Sequence, residues 1–326
     1  MPKMTMVQAL NLALRQEMER DESVVVLGED VGVDGGVFRV TDGLIQQFGE
    51  KRVVDTPLAE SGIVGMSIGM AVYGLKPVCE IQFSGFSYYT LHQMENHAAR
   101  LRWRSQGRHT VPLVMRAPYG GGVRALEHHS ESRETFWSHI PGIKMVIPSG
   151  PRNARALLVS AIRDPDPVVF YEPKALYRAF REEVPEEEEA MPLSRSVIAR
   201  EGRDLTLIAY GAMIRPTLEA AEQLRTKHGV EAEVIDLLTL SPMDDALLVA
   251  SARKTGRVAV VHEAPRSFGP GAEIVARLVE KAFYHLEVPV ARVTGYDVVI
   301  PLFSREMHYL PGVPRIVHAA RRLLAA

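Results

Sequence analysis

What this chain lacks narrows its chemistry first. One residue in 326 is cysteine, Cys79, so neither a disulfide framework nor a cysteine-ligated zinc site can be built. A reducing, cytoplasmic setting is the expectation. Excess charge of either sign is missing as well. Lys and Arg number 38 against 40 Asp and Glu, a formal net charge of −2, without the basic surplus that nucleic-acid binding needs. Apolar runs are broken by glycine or charge well short of a bilayer span, so a membrane partner is not expected. The opening stretch MPKMTMVQALNLALRQEMERDE carries both charge signs on an amphipathic pattern and reads as a helix, not a leader. What remains, 46% hydrophobic and 24% charged residues, is an ordinary soluble profile with material for two domains.

Short β-branched runs alternate with helical patterns. SVVVLGED (23–30), KPVCEIQF (76–83), TVPLVMRAP (110–118), IKMVIPS (143–149) and PVVFYEP (167–173) read as buried strands. Helices are expected at about 5–20, 60–73, 87–104 and 151–163. Continuous rather than alternating apolar strands argue for a parallel sheet covered on both faces. The acidic, proline-bearing REEVPEEEEAMPL (181–193) marks an exposed linker. The expected division is therefore 1–183, a linker at 184–193, and a second α/β domain at 194–326 with strands DLTLIAYGA, AEVIDLLTL, RVAVVHEAP and PVARVTGYD. That second domain shows few clustered polar groups.

In open α/β sheets ligands gather at strand ends, and four polar clusters are placed there: Gly28-Glu29-Asp30, Glu60, Glu80-Ile81-Gln82 and Glu127-His128-His129-Ser130. Gly120-Gly121-Gly122 adds a flexible turn after a strand. Glu60 stands out. It is the only charge in a small-residue helical stretch (Gly62, Gly65, Ser67, Gly69, Gly74) that lets a backbone or a flat ligand approach closely. Partial desolvation would raise its pKa and suit it to proton exchange; the plainer reading is a carboxylate that complements a helix N-terminus. Adjacent His128 and His129 point apart and lack metal-site spacing, so proton transfer by one of them is favoured over a catalytic metal. Gly65-Met66-Ser67-Ile68-Gly69 matches the nucleophile-elbow pattern of serine hydrolases, but it falls inside the helical stretch instead of a strand-to-helix turn. Neither a P-loop lysine motif nor a G-x-G-x-x-G fingerprint after a strand is present, nor the G-D-G stretch with downstream asparagine that anchors a magnesium–diphosphate. Such a site looks like half of one.

The segments GEDVGVDGGVFRVTDGL (28–44), DTPLAESGIVGMSIGMAVYGLKPVCEIQF (55–83), APYGGGVRALEHHSES (117–132), PGIKMVIPS (141–149), SAIRDPDPVVFYEPKALYR (160–178) and KTGRVAVVHEAPRSFG (254–269) resemble the β subunit of the thiamine-diphosphate decarboxylase component of 2-oxo acid dehydrogenase complexes. The resemblance spans essentially the whole chain. It implies a pyrimidine-binding domain followed by a transketolase C-terminal-like domain. It also implies a cofactor shared with an α subunit that holds diphosphate and Mg2+, and a heterotetramer of two α and two β chains. The second domain would make β–β contacts and dock the dihydrolipoyl acyltransferase core. The implied activity is oxidative decarboxylation of a 2-oxo acid, pyruvate or a branched-chain one, with acyl transfer to lipoyl-lysine; acetoin dehydrogenase β subunits share most of these motifs.

Residue by residue, Glu60 would be the glutamate that protonates the cofactor's pyrimidine ring. Leu58, Gln82 and Phe86 would line the ring's pocket, and Glu29 would belong to an acidic passage between paired sites. His129 would face substrate and acyl transfer, with His128 the second choice. Gln82 could equally satisfy a strand end and Phe86 fill core. Carbonyls of Val111, Leu113 and Ala161 with Asp164 and Asp166 match a potassium site of some members, or the two aspartates cap a loop. Phe86, where branched-chain members often carry tyrosine, points toward pyruvate. Other classes stay open: a hydrolase using Ser67, or a docking subunit without catalysis.

Overall fold

The computed structural model describes residues 1–187 and 189–326. Fourteen strands are found among them, in chain order β1 Lys3–Met4, β2 Val24–Gly28, β3 Val53–Asp55, β4 Lys76–Glu80, β5 Val114–Tyr119, β6 Lys144–Val146, β7 Val168–Pro173, β8 Glu182–Glu183, β9 Val197–Arg200, β10 Leu205–Ala209, β11 Ala232–Asp236, β12 Thr239–Ser241, β13 Val258–His262 and β14 Ala291–Thr294. A seven-stranded sheet runs β12-β6-β7-β5-β4-β2-β3, and a five-stranded sheet runs β14-β13-β10-β11-β9. Every pairing in the larger sheet is parallel except β12 on β6. In the smaller sheet only β9 is antiparallel.

Both faces of the large sheet are buried, which is why its strands read as unbroken apolar runs. Val24, Val26, Val78, Val114, Val168 and Phe170 pack toward helices Met6–Arg20 and Pro151–Arg163. Leu27, Cys79, Met115, Val169 and Tyr171 pack on the opposite side with Ile63, Val64 and Ile68 of helix Glu60–Val72. Thr5 opens the first of these helices with a reciprocal capping box to Gln8, and Pro151 occupies the first turn of Pro151–Arg163, where a missing N–H costs nothing. Both core clusters continue into the second domain through Leu205, Leu207, Ile208 and Val260.

The expected helix at 87–104 is a succession of short helical pieces with a π turn at Met94–Ala98. The expected strand AEVIDLLTL is two strands. Leu238 takes a left-handed φ of 58°, which turns the chain so that β12 leaves the second domain and extends the first domain's sheet. The acidic stretch is not a free linker either. Glu182–Glu183 pairs with Lys3–Met4, Val184 and Leu193 are buried, and Glu189 pairs with Arg152 at 2.8 Å; position 188 lies outside the described residues. Among the described residues no helix is long and apolar enough to cross a membrane.

Candidate active site

Because β5, β4, β2 and β3 are parallel and in register, their C-terminal ends line up along one edge. Gly28 stands opposite both Asp55 and Glu80, and Glu80 stands opposite Arg116. Glu29 follows β2, Gln82 follows β4, and Glu60 opens the helix after β3. Topology therefore gathers residues that are far apart in the chain. Asp55 ties the loop after β2 by accepting from the amides of Gly32 at 2.6 Å and Val33 at 3.1 Å. Asp30 sits at φ 58°, a left-handed conformation Asp tolerates better than most residues, and accepts from the Gln82 amide at 2.9 Å.

Beside Asp30 and Asp55, the carboxylates of Glu29 and Glu60 lie at this edge. Glu29 is buried, and burial, then the charge of Glu60, then that of Asp30, push its carboxyl up from the ordinary range. Glu60 itself is half-buried, because this chain covers only one side of it. Leu58, just before it, is 78% exposed. The same openness marks the helix. Gly69 has nothing within 4 Å of a would-be Cβ, and Gly62 meets only the Ala59 side chain at 3.5 Å. These glycines therefore make room on an outer face, not for the chain's own backbone. Two clefts of about 1260 and 920 Å3 lie elsewhere, around Pro141 and Pro242, and none of Glu29, Glu60, Gln82 or His129 lines them.

Other strand-end groups have structural employment. Glu80 accepts from buried Arg116 at 2.9 Å, while Glu172 accepts from the same guanidinium at 2.7 and 2.9 Å. This core ion triad is no part of an open site. Ser67 is fully buried in mid-helix, its hydroxyl donating to the Ile63 carbonyl at 2.8 Å. That removes the hydrolase reading, since an elbow serine must project from a turn. Cys79 is likewise inert: burial pushes its thiol up to about 12.

Residues 2–179 match the family model described as "Transketolase, pyrimidine binding domain", and residues 194–316 match "Transketolase, C-terminal domain". Curated relatives named "Pyruvate dehydrogenase E1 component subunit beta" are 49% identical in Acholeplasma laidlawii, over 99% of this chain and 98% of the relative. The relatives of that name from Staphylococcus epidermidis and Bacillus subtilis are 51% and 50% identical over 99% of both chains. The chain belongs to the family of pyruvate dehydrogenase E1 component β subunits. A solved split-gene transketolase, an inactive β4 tetramer, aligns at TM-score 0.81 over 99% of both chains with 23% identity, a likeness of fold alone.

In this family member the two adjacent histidines part company. His128 is exposed. His129 is half-buried, its ring edge-on to Phe83 at 4.1 Å and to Phe86 at 5.6 Å, with Nδ1 buried and unpartnered. Burial, then the Lys174 ammonium and His128, hold its imidazole below the usual range, against a smaller opposing pull from Glu127. Gly85 is required here, because a Cβ would stand 2.0 Å from the His128 carbonyl oxygen.

The glycine turn after β5 is anchored, not loose. Gly121 N donates to Glu263 at 2.7 Å, Gly122 N and Arg124 N donate to Glu306 at 2.9 Å each, and Lys174 Nζ donates to the Gly120 carbonyl at 2.6 Å. Sequence reasoning missed Phe83, Lys174, Glu263 and Glu306, and wrongly found the second domain poor in clustered polar groups. Glu263, at the end of RVAVVHEAP, was visible as a strand-end carboxylate; Glu306 carried no signal.

The residues matched to a potassium site lie apart from this edge. Asp164 takes Lys144 Nζ at 2.5 and 2.6 Å and also the Asp166 amide at 2.9 Å, and Asp166 takes Arg102 at 2.6 Å. The Val111, Leu113 and Ala161 carbonyls accept amides of Leu113, Val168 and Asp164 at 2.8, 2.9 and 3.3 Å. These bonds are those of the loop-capping alternative, with both carboxylates already neutralised by cations.

Proposed function

We propose that this chain supplies the proton-handling half of a thiamine-diphosphate site, and that with an α subunit it decarboxylates pyruvate and passes the acyl group to lipoyl-lysine of an acyltransferase core. The observation that carries this reading is the Glu29–Glu60 pair on an edge the chain leaves open. The donor set suits the group. A carboxylate pair serves a basic ring nitrogen, Phe83 and Phe86 give an apolar wall, and the buried, unpartnered Nδ1 of His129 awaits a polar partner.

When bound, the cofactor supplies a carbon nucleophile for the 2-oxo carbonyl; the chain's own residues manage protons and water around it. Two carboxylates close together in a partly dry site cannot both ionise cheaply. Burial and then the charge of Glu60 favour the protonated form of Glu29, and Glu60, at the open end of its helix, is the carboxyl placed to exchange a proton with the bound cofactor. An α subunit seated on the outer face of helix Glu60–Val72 would complete the burial of Glu60 and cover Leu58. His129, its imidazole held below the usual range by burial and then the Lys174 ammonium, faces the substrate and can take up a proton during acyl transfer. The aromatic walls exclude water.

Pyruvate is favoured by the names of the relatives and by Phe86 at the pocket. The test is Glu60→Ala in the assembled α–β enzyme. Loss of one placed proton-transfer group should lower turnover about 10²–10⁴-fold while the complex still assembles; turnover equal to wild type would sink the assignment.

A further inference from the structure

Lys174 is 4% exposed, and a lysine is rarely so buried without purpose. Its ammonium donates to the Gly120 carbonyl at 2.6 Å and stands 5.9 Å over the Phe83 ring. Phe83 in turn bears the His129 imidazole at 4.1 Å. On the far side of the turn, Gly120 N donates to the Glu131 carbonyl at 3.2 Å, and Ser84 Oγ donates to the same oxygen at 3.0 Å. The loop that carries His129 is thus stitched at Glu131 to the turn that Lys174 holds. From the second domain, buried Glu263 and Glu306 clamp the next residues of the turn by their amides.

We infer that Lys174 is a positioning residue for His129, fixing the glycine turn and the Phe83 ring against which the imidazole rests, with Glu263 and Glu306 locking that arrangement from the second domain. The inference rests on the reading of His129 as an active-site group. Electrostatics support the geometry. Burial drives the Lys174 amine down, and Glu263 and then Glu306 oppose this by favouring its charged form. Glu263 is pushed up by its own burial. The groups acting on the imidazole are Lys174 and His128, which disfavour its proton, and Glu127, which favours it. Phe83 and Phe86 present uncharged rings.

The experiment follows the His129 Cε1–H resonance by NMR against pH in the full chain, with His129→Asn for assignment, and kcat/KM against pH in the α–β complex. In Lys174→Met, which removes the cation, the His129 midpoint should rise by on the order of half a pH unit. The limb of kcat/KM that follows His129 should move the same way. Glu263→Gln keeps an acceptor for Gly121 but removes a carboxylate that sustains the Lys174 charge. It should move the midpoint in the same direction by less, and it decides the matter where Lys174→Met does not fold. An unmoved His129 midpoint in a folded variant, or a fall in kcat/KM with the pH profile in place, overturns the inference. A shifted midpoint together with full activity of His129→Asn would uphold the coupling and refute instead the catalytic reading of His129.

Discussion

Glu134 offers the sharpest physical test of how the two domains are joined. It opens helix Glu134–Ser138 in the first domain and is fully buried. The hydroxyl of Tyr210, from the second domain, donates to its Oε1 at 2.7 Å, while Oε2 is buried without a partner. Burial outweighs these bonds and pushes the carboxyl from 4.5 up to about 7. The folded chain therefore holds this proton more tightly than the unfolded chain does. The group's contribution to stability is complete below its unfolded value of 4.5 and is lost as pH rises through about 7. At about 1.4 kcal/mol per unit, some 2.5 units amount to about 3 kcal/mol as an upper figure. Glu134→Gln keeps an acceptor for Tyr210 and cannot ionise. Urea unfolding near pH 5 and near pH 8 should show the variant within about 1 kcal/mol of wild type at the lower pH and up to about 3 kcal/mol more stable at the higher. Asp236, raised by burial to about 7, titrates in both proteins and cancels from the difference. A stability difference that stays constant with pH would refute the reasoning.

Two further substitutions probe the scaffold under the site. Arg116→Met strands Glu80 and Glu172 in the core, and calorimetry should show a loss of about 3–5 kcal/mol; an unchanged melting temperature would mean the triad is not what holds these strands. Gly85→Ala drives a Cβ into the His128 carbonyl. It should cost about 1–3 kcal/mol by urea titration and shift the His129 resonance, whereas wild-type stability and an unshifted resonance would contradict the packing described.

Much of the fold was legible because burial on both sheet faces leaves a plain mark: strands such as VVVLG and VVFYEP have no polar alternation, helix 6–20 opens on the Thr5–Gln8 capping box and helix 151–163 on Pro151. The pieces that escaped were set by distant partners. Nothing in AEVIDLLTL announces that its last residues abandon one sheet for another; that depends on the free edge offered by β6. Glu29, Glu80 and Gln82 could be placed at one edge because parallel strands deliver their ends to one place, although Glu80 is spent there on the Arg116 triad. Lys174 and Glu306 could not, since their roles depend on contacts made 54 to 184 residues away with the glycine turn. Glu60 was read as partly desolvated, and the structure leaves it half-buried.

The central claim is that this chain forms half of a decarboxylase site. The most direct measurement is thiamine diphosphate-dependent decarboxylation of pyruvate and 2-oxoisovalerate, by the chain alone and after co-expression with a cognate α subunit. The account predicts activity only in the pair, with pyruvate preferred. Activity of the chain alone would contradict it, because the diphosphate anchor would then have to lie within these residues.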